Sequence, residues 1–310
     1  MNMVRKIAEN INTSPEFVGK LQYNISMKEH TTFKIGGPAE IFITPKTVKS
    51  FCFVIHYLQQ NKQSFFILGK GSNIVVSEKG ISGFVISTAE LNTIKYNTDT
   101  NELICGAGCS FASLTQFCIK NSLSGLEVFA GLPASIGGAI FMNARCYEIS
   151  ISDIITSVEY VTKSGMCKTY SVNLKDWDYK VSPFKNMEKG TCILATHFKV
   201  HKENKKLIKE TCKKYIKNRL EKGHYKFPSA GSVFKNNRTF GKPTGQLIDE
   251  AGLKGTRCGG AQIAPWHGNF IVNTGNATAD DIKKLVDKTS QIVKSRTGFQ
   301  LECEIIFYGD

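Results

Sequence analysis

A run of small residues constrains this chain more than any other feature. In Ala130-Gly131-Leu132-Pro133-Ala134-Ser135-Ile136-Gly137-Gly138-Ala139, six of the ten residues are Gly or Ala, and Met142-Asn143-Ala144 follows. Such density implies close backbone contact, either with a packed helix or with a flat cofactor. About sixty residues earlier, Gly69-Lys70-Gly71-Ser72-Asn73 follows the apolar stretch Ser64–Leu68. Successive N–H groups in such a loop form a concave anion site, with hydrogen bonds added by Ser72 and Asn73. The same residues also make a plain turn. No Gly-Lys-Ser/Thr closes the loop and its spacing is not the dinucleotide fingerprint. Together the two loops suit a diphosphate-linked cofactor without saying which one.

Composition narrows the class. The 310 residues are 41% hydrophobic and 21% charged, which suits a soluble chain of two or three domains. No apolar run is long enough to cross a bilayer, so no membrane insertion is expected. Met1 to Phe17 is polar, broken by Asn10, Asn12 and Pro15, and carries no secretory pattern, so a cytoplasmic location is expected. Ten cysteines include no Cys-x-x-Cys pair and mostly lie in apolar stretches, as Cys52, Cys118 and Cys192 do. They read as reduced, buried thiols. The six histidines show no zinc-ligand spacing, and no metal is expected. The net charge of +14 is concentrated in Lys199–Lys226, with eleven Lys or Arg against three Glu. A solvated helix face explains it, and so does attraction for a polyanionic substrate. Nucleic acid is a third reading, but the run lacks interleaved aromatics and no nucleic-acid partner is expected.

Strands are expected at Ala39–Ile43, Ser64–Leu68, Ile74–Val76, Phe84–Ile86 and Leu103–Ala107, with helices at Thr47–Asn61 and Ser110–Asn121. Ile154–Thr162 and Cys167–Ser171 read as a hairpin over Lys163–Met166. The polar, lysine-rich Glu203–Glu221 has a helical period and reads as a connector. Beyond it come a strand at Ser232–Phe234, a helix near Gly245–Ala251, apolar segments at Ala261–Ala264 and Asn269–Val272, and a helix from Thr278. Thr278 and Asp281 make a capping-box start, and that helix ends at Arg296-Thr297-Gly298. A last strand, Phe299–Tyr308, carries Glu302 and Glu304 on one face.

Pro228-Ser229-Ala230-Gly231-Ser232-Val233-Phe234-Lys235-Asn236 places a hydroxyl at the mouth of an apolar segment. A serine in a glycine turn is ordinarily structural. Its company changes that reading. The two glycine loops resemble those of the flavin-binding domain shared with the vanillyl-alcohol oxidase group. The Pro228–Asn236 motif, Gly245–Gly255, His267-Gly268-Asn269-Phe270-Ile271-Val272-Asn273 and Leu301-Glu302-Cys303-Glu304 are similar to the UDP-N-acetylenolpyruvoylglucosamine reductase family. The resemblance runs from about Asn24 to Gly309. Little sequence separates Ser232 from Gly245, as in the shorter form of the family, which lacks an inserted substrate-covering segment.

The resemblance implies an α+β fold: a two-part FAD-binding region of the vanillyl-alcohol oxidase type plus a C-terminal α+β substrate-binding domain. Residues 1–202 would form the FAD-binding region, divided near residue 90, with the tail 305–310 packing back on it. Residues 203–222 would connect it to a substrate domain at 223–304. The implied cofactor is FAD, with NADPH as co-substrate, and the implied substrate a UDP-linked sugar enol ether; a monomer is expected. NADPH would reduce the flavin, which would then pass hydride from N5 to the terminal enolpyruvyl carbon. Gly69, Lys70, Gly71, Ser72, Asn73, Gly131, Pro133, Ser135, Gly137, Gly138 and Asn143 would hold the cofactor, and Tyr179, Lys235 and Asn236 the substrate. Ser232 matches the family's proton donor and Glu304 its catalytic glutamate, acting protonated on the developing enolate. Without the match, Glu304 is a surface carboxylate, with Glu302 as its same-face alternative. Lys235 also has a solvent-facing reading.

The sequence departs from the family pattern in several places. Tyr179-Lys180-Val181-Ser182 carries Lys180 where an arginine is usual. Lysine keeps the charge and loses the planar two-point fork. Gly223-His224 replaces a Gln-Pro pair, Asn237 a proline and Arg145 a glycine. A flavin oxidase of the same cofactor fold and a basic nucleotide-binding protein remain the competing readings.

Overall fold

Apolar residues alternating along neighbouring strands make one half of this chain a helix-on-sheet layer. The computed structural model describes residues 3–309. Met1 and Asn2, at the start of the N-terminal segment, and Asp310, the last residue of the expected tail, lie outside the described residues. In chain order the longer elements are α1 (Met3–Thr13), β1 (Gly19–Ser26), β2 (Pro38–Pro45), α2 (Val48–Gln60), β3 (Phe65–Leu68), β4 (Ile74–Val76), β5 (Ile81–Ser87), β6 (Ile94–Asn97), β7 (Glu102–Gly106) and α3 (Phe111–Asn121). There follow α4 (Ile136–Phe141), β8 (Ile155–Val161), β9 (Cys167–Ser171), β10 (Cys192–Lys199), α5 (Lys205–Glu221), α6 (Thr244–Glu250), β11 (Ala261–Ile263), β12 (Ile271–Asn273), α7 (Ala279–Thr297) and β13 (Ile306–Tyr308).

The chain forms two units, both discontinuous in sequence. The first takes residues up to Tyr23, Ile41–Lys70 and Gly83–Lys217; the second takes Asn24–Glu40, Gly71–Ser82 and Asn218 onward. The sequence reading draws one boundary through the connector at 203–222. The structure adds two short early segments to the C-terminal unit, and it pairs the tail strand β13 in parallel with β4 inside that same unit.

The first unit has two cores. α2 buries Phe51, Val54, Ile55 and Leu58 against Ile41, Ile43, Phe84 and Ile86 of a sheet ordered β1-β2-β5-β3. α1 adds Ile7, Ala8 and Ile11. Its Val4, Ile7, Ala8 and Ile11 recur at i, i+3, i+4 and i+7, an amphipathic helix signal present in the sequence but absent from the expectations above. The second core lies on an antiparallel sheet ordered β9-β8-β10-β7-β6, covered by α3 and α4. β8 and β9 form the expected hairpin, with Gly165 at φ +82° in its turn. β1, β6 and β10 were likewise not anticipated.

In the second unit, α6 and α7 pack Leu247, Ile248, Ile282 and Leu285 with Phe33, Val75 and Val233. Thr278 and Asp281 form the expected capping box, and Gly298 closes α7 in the left-handed region at φ +76°. Two strand expectations fail. Ser232–Phe234 makes only isolated bridges, Ser232 to Phe270 and Phe234 to Cys303, and of Phe299–Tyr308 only Ile306–Tyr308 is a strand. The cause is a long-range side-chain contact: Asn269 occupies both backbone groups of Phe234, so no ladder continues there.

The capping box yields a direct check. Thr278→Ala removes the acceptor for the Asp281 N–H and is expected to cost about 1 kcal/mol, a Tm fall of roughly 2–4 °C. Thermal unfolding measures it, and an unchanged Tm would show that the cap contributes nothing.

Candidate active site

In the first unit the two glycine loops come together. A Cβ on Gly69 would collide with Ser135 Oγ, so the loops touch only because residue 69 has no side chain. Ser135 caps α4, accepting from the Gly138 N–H at 3.3 Å. Ile136 and Gly137 donate backbone N–H groups to the carbonyls of Cys109 and Ala107 at 2.9 and 2.8 Å. An open cleft of about 470 Å³ is lined by Gly69, Lys70, Thr88, Gly108, Ser110 and Ser113 among others; Gly131, Pro133, Ser135, Gly137, Gly138 and Asn143 are not in that lining. Thr88, Gly108, Ser110 and Ser113 were not anticipated as site residues. The signal for the last two was the N-cap of α3, where Ser110 accepts from the Ser113 N–H at 3.0 Å. Gly131 lies at φ +79°, Pro133 and Gly138 are exposed, and Ser135 is buried.

Asn143, buried to 2% exposure at φ +43°, is a structural tie. Its Nδ2 donates to the Asp178 carbonyl at 2.8 Å, and its Oδ1 accepts from the Ser152 N–H. Ser182 Oγ donates to the Phe141 carbonyl at 2.7 Å. These bonds fasten the turn Asp178–Val181 to the end of α4. Within that turn Lys180 sits at φ +60°, a left-handed conformation costly for a non-glycine residue. Lys185 Nζ donates to the Lys180 carbonyl at 2.7 Å, and Lys180 Nζ lies 5.9 Å from the Tyr179 ring centre. Arg145 is ion-paired with Glu148, which answers the charge of that departure.

Ser232, Lys235, Asn236, Glu304 and the loop residues Gly71, Ser72 and Asn73 all belong to the second unit, whereas Gly69, Lys70, Tyr179 and Lys180 belong to the first. Asn269, 4% exposed, donates from Nδ2 to the Phe234 carbonyl at 2.7 Å and accepts at Oδ1 from the Phe234 N–H at 2.8 Å. Its carbonyl accepts from the Val233 N–H at 2.9 Å. On the other side, the Glu304 N–H donates to the Val233 carbonyl at 2.7 Å and the Lys235 N–H to the Glu302 carbonyl at 2.9 Å. Ser232 and Glu304 thus lie on adjacent stretches of one hydrogen-bonded frame. Asn73 joins it, donating from Nδ2 to the Glu304 carbonyl at 3.0 Å. Thr32 links Gly71, at φ +60°, to the Ser229 carbonyl.

The paired carboxylates do not share an environment. Glu304 is 9% exposed, while Glu302 is open and ion-paired with Lys235. Lys235 thus reaches a carboxylate at the protein surface. Asn236 Oδ1 accepts from the Thr244 N–H at 2.9 Å, and Asn237 caps a short turn through the Thr239 N–H, which accounts for asparagine in place of proline.

Gly223-His224 also has a physical reason. Gly223 adopts φ +72° with its α-carbon against the Trp266 indole, where no side chain fits. His224 then packs 5.0 Å from the Phe270 ring and 6.1 Å from His267. Burial, with Arg219, His267 and Lys222 adding to it, pushes the His224 pKa down to about 4; burial lowers His267 as well. The folded form therefore binds fewer protons than the unfolded chain between the ordinary histidine value near 6.5 and about 4. Stability rises with pH across that window and is lost as pH falls through it. His224→Asn is expected to flatten the pH 4–6.5 limb of a denaturation series, and an unaltered slope would contradict the assignment.

Comparison with known proteins places these features. Residues 39–171 match the FAD binding domain, and residues 223–308 match the C-terminal domain of UDP-N-acetylenolpyruvoylglucosamine reductase. The Treponema denticola protein of that name is 45% identical over 94% of both chains. That of Borrelia garinii subsp. bavariensis is 41% identical over 97% of this chain and 95% of its own. The crystal structure of the Thermus caldophilus reductase superposes with a TM-score of 0.77 at 32% identity, covering 94% of this chain and all of the other. An FAD-binding domain followed by the reductase's own C-terminal domain is the α+β class that the motifs implied. The chain belongs to the UDP-N-acetylenolpyruvoylglucosamine reductase family.

Proposed function

We propose that this protein catalyses the NADPH-dependent reduction of UDP-N-acetylglucosamine enolpyruvate to UDP-N-acetylmuramate, in the cytoplasmic synthesis of peptidoglycan precursors. The observation that carries the reading is the frame in which Ser232 and Glu304 are neighbours, in a member of this reductase family. Among the described residues no helix is long and apolar enough to cross a membrane. The protein is taken to act as a monomer on its UDP-linked substrate.

The residues of the first unit fit FAD. Gly69 and Gly108 line the cleft at positions where a Cβ would collide with Ser135 Oγ and the Thr88 carbonyl, so backbone without a side chain lies there beside Lys70, Thr88, Ser110 and Ser113. Gly69, Lys70, Ser135, Gly137 and Gly138 would hold the cofactor through close approach of side-chain-free backbone, a hydroxyl and a lysine charge, with Gly131 and Pro133 shaping the loop. Gly71, Ser72 and Asn73 belong to the same predicted set, as does Asn143 through the turn that it fastens. When bound, FAD supplies the redox chemistry of the family, taking hydride from NADPH and giving it to the enolpyruvyl double bond.

Hydride addition at the terminal carbon pushes negative charge toward the substrate carboxylate, and the chain must stabilise it. Glu304 is assigned to this task; its backbone is held at both N–H and C=O. Lys180 is assigned to the same charge by a single-point contact, and the strained backbone there supports a functional role. Ser232 delivers the proton to the adjacent carbon. A hydroxyl is a weak acid, but a carbanion-like carbon is a strong base, so position matters more than acidity. Tyr179, Lys235 and Asn236 are assigned to the substrate, Lys235 by exchanging its Glu302 partner for an anionic group.

Stopped-flow separation of the two half-reactions tests these roles. Ser232→Ala is expected to leave flavin reduction by NADPH intact and to slow flavin reoxidation by the enolpyruvyl nucleotide by roughly 10²–10⁴-fold. Lys180→Met is expected to slow the same half-reaction by about 10²-fold, with Lys180→Arg close to wild type. Unchanged reoxidation in Ser232→Ala would remove the proton-donor assignment.

A further inference from the structure

We propose that Cys52 and Cys167 form a reversible thiol-oxidation site in the first unit, closing to a disulfide on exposure to a low-molecular-weight disulfide. Cys52 lies on α2 and Cys167 opens β9, and their Sγ atoms are 3.4 Å apart. All ten cysteines are free; Cys167 is exposed and Cys52 half-buried beneath it. An S–S bond is about 2.05 Å long, so rotation of the two side chains covers most of the remaining gap.

The packing around the pair keeps it in register. A Cβ on Gly165, in the β8–β9 turn, would lie 2.9 Å from the Cβ of His56, one turn along α2 from Cys52. A Cβ on Gly190 would collide with Gln59 Nε2, a further turn along. The helix face Cys52-His56-Gln59 is therefore seated against backbone that has no side chain to yield. Cys192 is excluded as the partner of Cys167. Val161 pairs with Cys167 on one side and with Cys192 on the other, leaving the two cysteines two strand spacings, about 9.5 Å, apart. That is beyond the reach of a disulfide.

The exposed Cys167 thiolate attacks a small disulfide, RSSR, forming a mixed disulfide and releasing one RS⁻. The Cys52 thiolate then attacks Cys167 Sγ and expels the second RS⁻. The two thiol protons end on the two RS⁻, so RSSR is reduced to two RSH as two protein thiols become one disulfide. Burial, together with the hydrogen bond to Cys167, pushes the Cys52 thiol up to about 12, which makes the second attack the slow one. The bond would tie residues 115 apart in sequence, a long loop whose closure restricts the unfolded chain.

The flavin-loaded protein is incubated with oxidised glutathione, alkylated and digested without reduction. One cross-linked peptide pair containing Cys52 and Cys167 is expected. A Tm rise of roughly 5 °C should accompany it, reversed by dithiothreitol and absent in Cys167→Ser and in Cys52→Ser. Glutathione retained on Cys167 while Cys52 remains alkylatable would overturn the proposal. So would a link from Cys52 to Cys192, or an equal Tm rise in Cys167→Ser.

Discussion

The side-chain amide of Asn269 stands in for a β-strand, and the candidate active site depends on that substitution. Its two hydrogen bonds to Phe234 satisfy a buried N–H and C=O that a continuous ladder would otherwise have to meet. Leaving such groups unmet costs about 1–3 kcal/mol each, so the amide specifies the local path of the chain. With Phe234 fixed, Val233 is left to bond Asn269 on one side and Glu304 on the other. Ser232 stays outside any regular strand, half-buried, at the edge of that arrangement. A serine within a full ladder would lie on a pleated face. Here its position is set by an isolated bridge to Phe270, whose ring clusters with those of His224 and His267.

The first unit solves a different problem by subtraction. Residues 69 and 108, which line its cleft, carry no side chain because Ser135 Oγ and the Thr88 carbonyl stand where a Cβ would point, and Ser135 turns its hydroxyl back to cap α4. The same economy appears at Asn143, whose amide is committed to Asp178 and Ser152. That commitment positions the turn carrying Lys180. The Lys180-for-arginine departure therefore sits in a backbone held from two sides, by Asn143 and by Ser182.

Much of this was legible in the sequence. Helices α2, α3 and α7 begin at Thr47, Ser110 and Thr278, hydroxyls that cap them through short-range bonds that a reader can anticipate. The convergence of the two glycine loops was readable as a need for close backbone approach. What stayed hidden was long-range. Nothing local to Asn269 announces that it will serve Phe234, 35 residues away. Alternation suggested that Glu302 and Glu304 share a face, yet the segment is irregular and only Glu304 is buried. The left-handed turn at Lys180 has no compositional signature, whereas α1 does carry one in the spacing of Val4, Ile7, Ala8 and Ile11. Segments 24–40 and 71–82 join the C-terminal unit through pairings such as β4 with β13, which span more than two hundred residues.

Hydrogen–deuterium exchange across residues 228–236 in wild type and Asn269→Ala tests the central point most directly. Slow exchange of the Val233 and Phe234 amides is expected in wild type, with both amides exchanging at least tenfold faster in the variant (about 1.4 kcal/mol) while α7 keeps its protection. Equal protection of these amides in the two proteins would contradict the account, because the segment would then be held by something other than the Asn269 side chain.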